Sequence, residues 1–168
     1  MVKAIPDGMH TLTAQLTIDG ADKAIDWYKK AFAAELINRA PDPSGKKVWH
    51  AAMKVGDSTF YVNDAFPDMG GNAHMTSLWL YTDNVDRLWK RAVDAGAKVT
   101  MQLADMFWGD RSGTLMDPFG NRWSLAQRIK DMTPEEMKRA GDEFAAAQRS
   151  PAKQPAPQSA KPKSPARK

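Results

Sequence analysis

The stretch Ile18-Asp-Gly-Ala-Asp-Lys-Ala-Ile-Asp-Trp-Tyr-Lys-Lys-Ala-Phe32 decides the fold once it is read together with its echo further along the chain. Ahead of it, Leu12, Ala14, Leu16 and Ile18 alternate with Thr11, Thr13, Gln15 and Thr17, the period of a half-buried strand. Asp22 then opens a helix whose Ile25, Tyr28 and Phe32 recur at helical spacing. The pattern returns where Leu78 and Leu80 alternate with Ser77, Trp79 and Tyr81, and Asp86 opens a second helix with a Val85, Leu88, Trp89, Ala92, Val93 stripe ending at Gly96. The offset that carries Asp19 to Asp83 also carries Asp22 to Asp86, Lys23 to Arg87 and Gly56 to Gly120, so the chain holds two copies of one unit.

Each unit continues with further strands. In the first, Trp49, Ala51, Met53 and Val55 alternate with His50, Ala52 and Lys54, and Gly56-Asp57 turns into Thr59 to Asn63. In the second, Lys98 to Leu103 and Thr114 to Met116 read as strands separated by a loop around Phe107-Trp-Gly-Asp-Arg111, and Asp117-Pro-Phe-Gly120 turns into Arg122 to Ala126. If the helices cover the apolar sheet faces, the other face carries Thr13, Gln15, His50, Tyr61, Asn63, Ser77, Trp79, Tyr81, Arg122 and Ser124. Aromatic rings among placed polar groups are the composition of a cleft wall. Trp27, Trp49, Trp89 and Trp123 fall on helices or on the opposite strand face and are read as packing.

The chain has 168 residues and no Cys, which excludes disulfide and zinc-thiolate scaffolds. Neither a membrane-spanning apolar run nor a signal-peptide start is present, and a cytoplasmic protein without membrane association is expected. Six of the 24 basic residues lie between Arg149 and Lys168 with no acidic partner, which leaves 18 basic against 20 acidic in residues 1–148. The basicity therefore belongs to the 150–168 Pro/Ala/Lys tail, read as disordered; nucleic-acid association is expected only weakly, through that tail. Before it, residues 131–149 form an accessory helix, with Thr133, Pro134 and Glu136 as capping box and Met132 and Met137 as hydrophobic staple.

The repeat, the Ile18 to Phe32 segment and the closing Asp117-Pro-Phe-Gly-Asn-Arg-Trp123 resemble the vicinal oxygen chelate superfamily, the glyoxalase, bleomycin-resistance and extradiol-dioxygenase group. The Phe107 to Gly113 stretch is similar to that of its small bacterial PhnB-like branch. The resemblance implies an α+β fold of two βαβββ modules, at about 10–65 and about 75–128 within a domain of residues 1–130, forming a curled mixed sheet with a cleft in a homodimer. In metal-dependent members, His or Glu on the first and last strands of each module ligate a divalent ion. The matching positions are Thr13, Tyr61, Ser77 and Ser124, none of which supplies imidazole or carboxylate, so neither metal nor other cofactor is expected.

The expected function is metal-independent binding of a planar or aromatic drug or metabolite. Thr13, Gln15, His50, Tyr61, Asn63, Ser77, Trp79, Trp108, Asp110, Arg111, Arg122 and Ser124 are its candidate contacts, with Trp108 stacking from a flexible loop and Arg111 taking an anionic group. The loop has a plainer reading too, in which Asp110 and Arg111 pair with each other and the aromatics fill core. The alternative is an enzyme, a lyase, isomerase or dioxygenase-like member. It would use a displaced metal site among His10, His50 and His74, or His50 as general base paired with Asp110 or Tyr61.

Overall fold

The computed structural model describes residues 2–149; the tail assigned to 150–168 lies outside them. Strands β1 (Ala14–Ile18), β2 (Glu35–Pro41), β3 (Val48–Val55) and β4 (Ser58–Asp64) form one sheet with helix α1 (Ala21–Phe32). The second module repeats this with β5 (Ser77–Tyr81), α2 (Val85–Asp94), β6 (Lys98–Asp105), β7 (Asp110–Met116) and β8 (Arg122–Arg128), and α3 (Pro134–Arg149) follows. The sheet orders are β1-β4-β3-β2 and β5-β8-β7-β6, with the first pair parallel and the others antiparallel in each. This is the expected pair of βαβββ modules; their two mixed sheets stay separate and open.

Both helices start on a side chain from the last strand of their own module. Gly20, in a left-handed conformation at φ 83°, offers α1 no capping side chain, and Asp64 Oδ1 accepts from Gly20 N at 2.9 Å and Ala21 N at 3.0 Å instead. Gln127 Oε1 accepts from Val85 N at 3.1 Å at the start of α2, where Asn84 caps Arg87 N. The repeat extends to the helix surfaces: Asp22 grips Arg39 with two hydrogen bonds of 2.7 and 2.8 Å, and Asp86 grips Arg111.

The helices pack on each other, and the core between the modules is aromatic. Tyr28 meets Phe60 of β4 at 5.7 Å and Trp123 of β8 at 5.5 Å, while Trp27 donates its Nε1 to Ala95 O at 2.8 Å. The Tyr28 hydroxyl donates to Asp117 Oδ2 at 2.8 Å, which also accepts from Trp123 Nε1 at 3.0 Å and Asn121 Nδ2 at 3.2 Å. Asp117 Oδ1 accepts from the turn amides of Phe119 and Asn121. Asn121 Oδ1 in turn accepts from Thr76 N at 3.1 Å, one residue before β5.

Three stretches depart from the sequence reading. Thr11, Leu12 and Thr13 lie outside β1, and Leu12 is 88% exposed. A bulge opposite Ala40 and Pro41 breaks the alternation of β3, so Trp49 leaves the helix face that Ala51 and Met53 fill and stands 45% exposed, not packed in the core. Asp110 and Arg111 belong to β7, not to a flexible loop. Gly109, at φ +89°, accepts at its carbonyl from Ile129 N and Lys130 N, both at 3.0 Å, and a Cβ there would collide with Lys130 O. Phe107 is stacked on Phe144 of α3 with centroids 4.9 Å apart, and the expected capping box of α3 is present, Thr133 N donating to Glu136 Oε2 at 2.9 Å and Glu136 N to Thr133 Oγ1 at 3.2 Å.

Burial, reinforced by the Asp117 charge, pushes the Tyr28 hydroxyl far above the usual tyrosine range. The folded protein keeps a proton that the unfolded chain releases near pH about 10, so this contribution is complete below about 10 and is lost as pH rises beyond it, by roughly 1.4 kcal/mol per pH unit. In urea unfolding at about pH 9 and about pH 11, Tyr28→Phe should therefore lose less stability between the two pH values than the parent; equal losses would place the hydroxyl in water. Thermal unfolding tests the pinned loop. Gly109→Ala should cost about 2–3 kcal/mol, against roughly 1 kcal/mol for Gly45→Ala, where φ is also positive but nothing lies within 4 Å. Equal costs would mean that the contact with Lys130 yields freely.

Candidate functional site

A cleft of about 550 Å³ runs along the free edge of β5, between the two sheets. Phe60 and Trp123, nearly buried, form its floor; Ala14 of β1 and the β3–β4 turn at Val55 to Ser58 form one side. Trp79 and Tyr81 line the other side, 53% and 56% exposed, their rings stacked at 6.1 Å and 25°. They stand exposed because successive strand residues point to opposite faces: Leu80 between them is 9% exposed and turns to the core.

Tyr81 connects this wall to a buried charge. Its hydroxyl donates to Asp110 Oδ2 at 2.8 Å, and Trp108 Nε1 donates to the same oxygen at 3.1 Å. Arg128 Nε lies 2.8 Å from Asp110 Oδ1, in ionic contact without an aligned hydrogen bond. Asp110 raises the pKa of the Tyr81 hydroxyl, first by accepting its hydrogen bond, and the nearby Arg128 charge opposes that shift. Two residues along the same face of β7, Ser112 Oγ is buried without a hydrogen-bond partner among the described residues.

The first module carries a smaller cleft of about 190 Å³, where Gln15, His50 and Asn63 meet Trp49, Phe66 and Met69. Gln15 Nε2 donates to Asn63 Oδ1 at 2.9 Å, and Trp49 packs on Phe66 at 5.3 Å. His50 meets the Tyr61 ring edge-on at 4.6 Å, and the Tyr61 hydroxyl reaches Met9 Sδ at 3.6 Å. His50 therefore does have Tyr61 beside it as a ring contact, whereas Asp110 is held in the other module by Tyr81, Trp108 and Arg128; the His50–Asp110 pair is not formed.

Arg111 is the clearest correction. It projects from the opposite face of β7 to Asp110, pairing neither with Asp110 nor with the cleft: Nε and Nη2 bind Asp86 of α2, and Nη1 binds Asp105 at 2.9 Å. Its grip holds the Asp86 carboxyl below the usual carboxylate range. Trp108 does not ride a flexible loop either, since its indole N–H is tied to Asp110.

The positions that the resemblance matches to metal ligands do not fit an ion. Thr13 precedes β1 with Oγ1 near His10 O at 3.5 Å, Ser77 is paired in register with Arg122, and Ser124, 5% exposed, shares a hydrogen bond of 3.3 Å with Thr114. Neutral hydroxyls, already engaged in part, offer little to a divalent ion. Among the described residues no three His, Cys, Asp or Glu side chains gather as a metal site needs. The alternation reading missed Trp49 and Arg128, and read Trp123, which lies on the cleft floor, as packing. Trp49 gave no signal, because a bulge is invisible to periodicity; Arg128 did, since it continues the series Arg122, Ser124, Ala126 once β8 is extended by two residues.

Comparison with known proteins bears on the fold and the site together. An uncharacterized Mycobacterium bovis protein, Mb0911c, is 39% identical over 138 residues, 77% of this chain and 90% of that one. A crystal structure of TnmS3, an antibiotic binding protein from Streptomyces sp. CB03234, superposes with a TM-score of 0.55 at 28% identity, covering 76% of this chain and 99% of that one. That of TioX from Micromonospora sp. ML1, 24% identical, superposes with a TM-score of 0.58 over 74% of this chain and all (100%) of the other, and shares the fold. Residues 9–125 match the family model, and the chain with its two βαβββ modules belongs to the Glyoxalase/Bleomycin resistance protein/Dioxygenase superfamily.

Proposed function

We propose that the protein binds a planar, aromatic small molecule without a metal ion, sequestering it in the cleft beside β5. The observation that carries this reading is the Trp79–Tyr81 pair, two stacked rings left half in water at the rim of a cavity with an aromatic floor. A folded chain that buries Tyr28, Phe60 and Trp123 has no packing reason to expose two more aromatic rings side by side. The hydroxyl-only set at Thr13, Tyr61, Ser77 and Ser124 supports independence from metal, and the similarity to an antibiotic-binding Streptomyces protein supports a small-molecule ligand. No helix among the described residues is long and apolar enough to cross a membrane, in keeping with a cytoplasmic binder.

The working unit in this reading is a homodimer. Strands β1 and β5 each end a sheet unpaired, and neither contains the charged residue or proline that normally blocks pairing with another chain. A second copy would satisfy those edges and wall the open side of the cleft.

Fluorescence titration with N-phenyl-1-naphthylamine in the presence of a chelator tests the binding reading. Saturable binding is expected, weakened in Trp79→Ala by roughly 1–3 kcal/mol if the ring stacks on the ligand. Absence of saturable binding by both this probe and its anionic relative 8-anilinonaphthalene-1-sulfonate, or binding that needs added metal, would overturn the reading. Sedimentation equilibrium should give twice the 18.6 kDa chain mass. A monomer at about 100 µM would remove the dimer, since edge pairing that stabilises a complex holds well below that concentration.

A further inference from the structure

We infer that Arg128 is the residue that selects the charge of the ligand, so that the cleft takes aromatic compounds bearing an anionic group next to the ring system. The inference rests on the binding reading above and goes beyond it by assigning the cation and the ligand chemistry.

The argument begins with Asp110. A carboxylate 1% exposed is costly to bury, and this one is held by three groups, Tyr81 of the cleft wall and, next to it, Trp108 and Arg128. Core burial needs no such carboxylate, because the register neighbour of Asp110 is Arg128 itself and an apolar pair would fill the same place. What the carboxylate does accomplish is to fix a guanidinium beside an aromatic wall. Its contact with Arg128 Nε at 2.8 Å limits the side chain, while half of that side chain remains exposed. The guanidinium has five N–H donors in a planar fork, suited to a carboxylate, sulfonate or phenolate oxygen.

Position then supplies the specificity. Tyr81 touches both halves of the arrangement, its ring stacked on Trp79 and its hydroxyl on Asp110, so the aromatic platform and the anchored cation are one side chain apart. A planar ligand lying on the rings brings a charged substituent to Arg128. Of the other arginines, Arg111 is spent on Asp86 and Asp105, Arg39 on Asp22, and Arg91 on the carbonyls of Lys29 and Lys30, while Arg122, on the same face at the opposite end of β8, has no carboxylate among the described residues to fix it in place. General attraction for anions does not explain such selection, as residues 1–148 carry more acidic than basic groups.

The test uses two probes that share a scaffold, 8-anilinonaphthalene-1-sulfonate and the uncharged N-phenyl-1-naphthylamine, titrated into the full-length protein. Arg128→Gln should weaken the sulfonate at least tenfold and leave the neutral probe within twofold. Because that variant strands the Asp110 charge, the double variant Asp110→Asn/Arg128→Gln, which removes both charges with little change in shape, must give the same selective loss. Arg39→Gln, which lowers net charge equally, should change neither probe. Sulfonate affinity that survives in the folded double variant, or an equal loss for both probes, would take the charge-selecting role away from Arg128 while the aromatic cleft stands. If neither probe saturates on the parent protein, the binding reading falls and this inference falls with it.

Discussion

Asp117 takes hydrogen bonds from both modules at once, and the relation between the two sheets follows from that. Its Oδ2 collects the hydroxyl of Tyr28 from α1, the indole of Trp123 from β8 and the amide of Asn121, and Oδ1 closes the turn between β7 and β8. A carboxylate with 4% exposure is tolerated in an aromatic core only because each lone-pair direction has a donor. The consequence reaches the cleft. Fixing the β7–β8 turn to α1 fixes Trp123 against Phe60, and these two rings are the cleft floor. Asn121 carries the same constraint to the residue before β5, the strand that presents Trp79 and Tyr81.

The two modules share their framework and differ in their open faces. Asp64 and Gln127 perform one task from equivalent places, starting the module's helix from its last strand, and Asp22 and Asp86 both tie helix to sheet through an arginine. On the other side of each sheet nothing is preserved. The first module offers an amide pair, Gln15 and Asn63, with His50 and Tyr61; the second offers stacked rings and the Asp110–Arg128 pair. The groups that satisfy buried backbone thus recur in both modules, while the faces turned away from the helices carry different side chains.

That division also accounts for what the amino-acid sequence disclosed. Elements whose structure is local were legible: alternation in β5, the helical stripes, the positive-φ turns at Gly56 and Gly120, and the Thr133–Glu136 capping box each need only a few neighbouring residues. The offset between the modules was legible for the same reason, as it repeats local patterns. Features that depend on a partner strand were not. The displacement of Trp49 follows from an extra residue in β3 relative to β2, and the extension of β7 back to Asp110 follows from pairing with Arg128. Arg111 was placed at the ligand because its type suits an anion; strand parity instead sends it to the helix side, where Asp86 and Asp105 engage it. Of the expected contacts, Trp79 came to the cleft and Asp110 to its edge, whereas Gln15, His50 and Asn63 gathered in the smaller one.

The Phe107–Trp108 pair connects the last helix to this arrangement. Phe107 stacks on Phe144 of α3 and meets Trp108 edge-on at 5.0 Å, and Trp108 gives its N–H to Asp110. No residue of α3 is buried; Phe144 stacked on Phe107 and the capped start are among the contacts that hold it. The loop beneath it is held through Gly109 and the amides of Ile129 and Lys130. The carboxylate at the edge of the cleft thus owes its orientation to β7, β8 and a tight turn, and α3 reaches it only through Phe107 and Trp108.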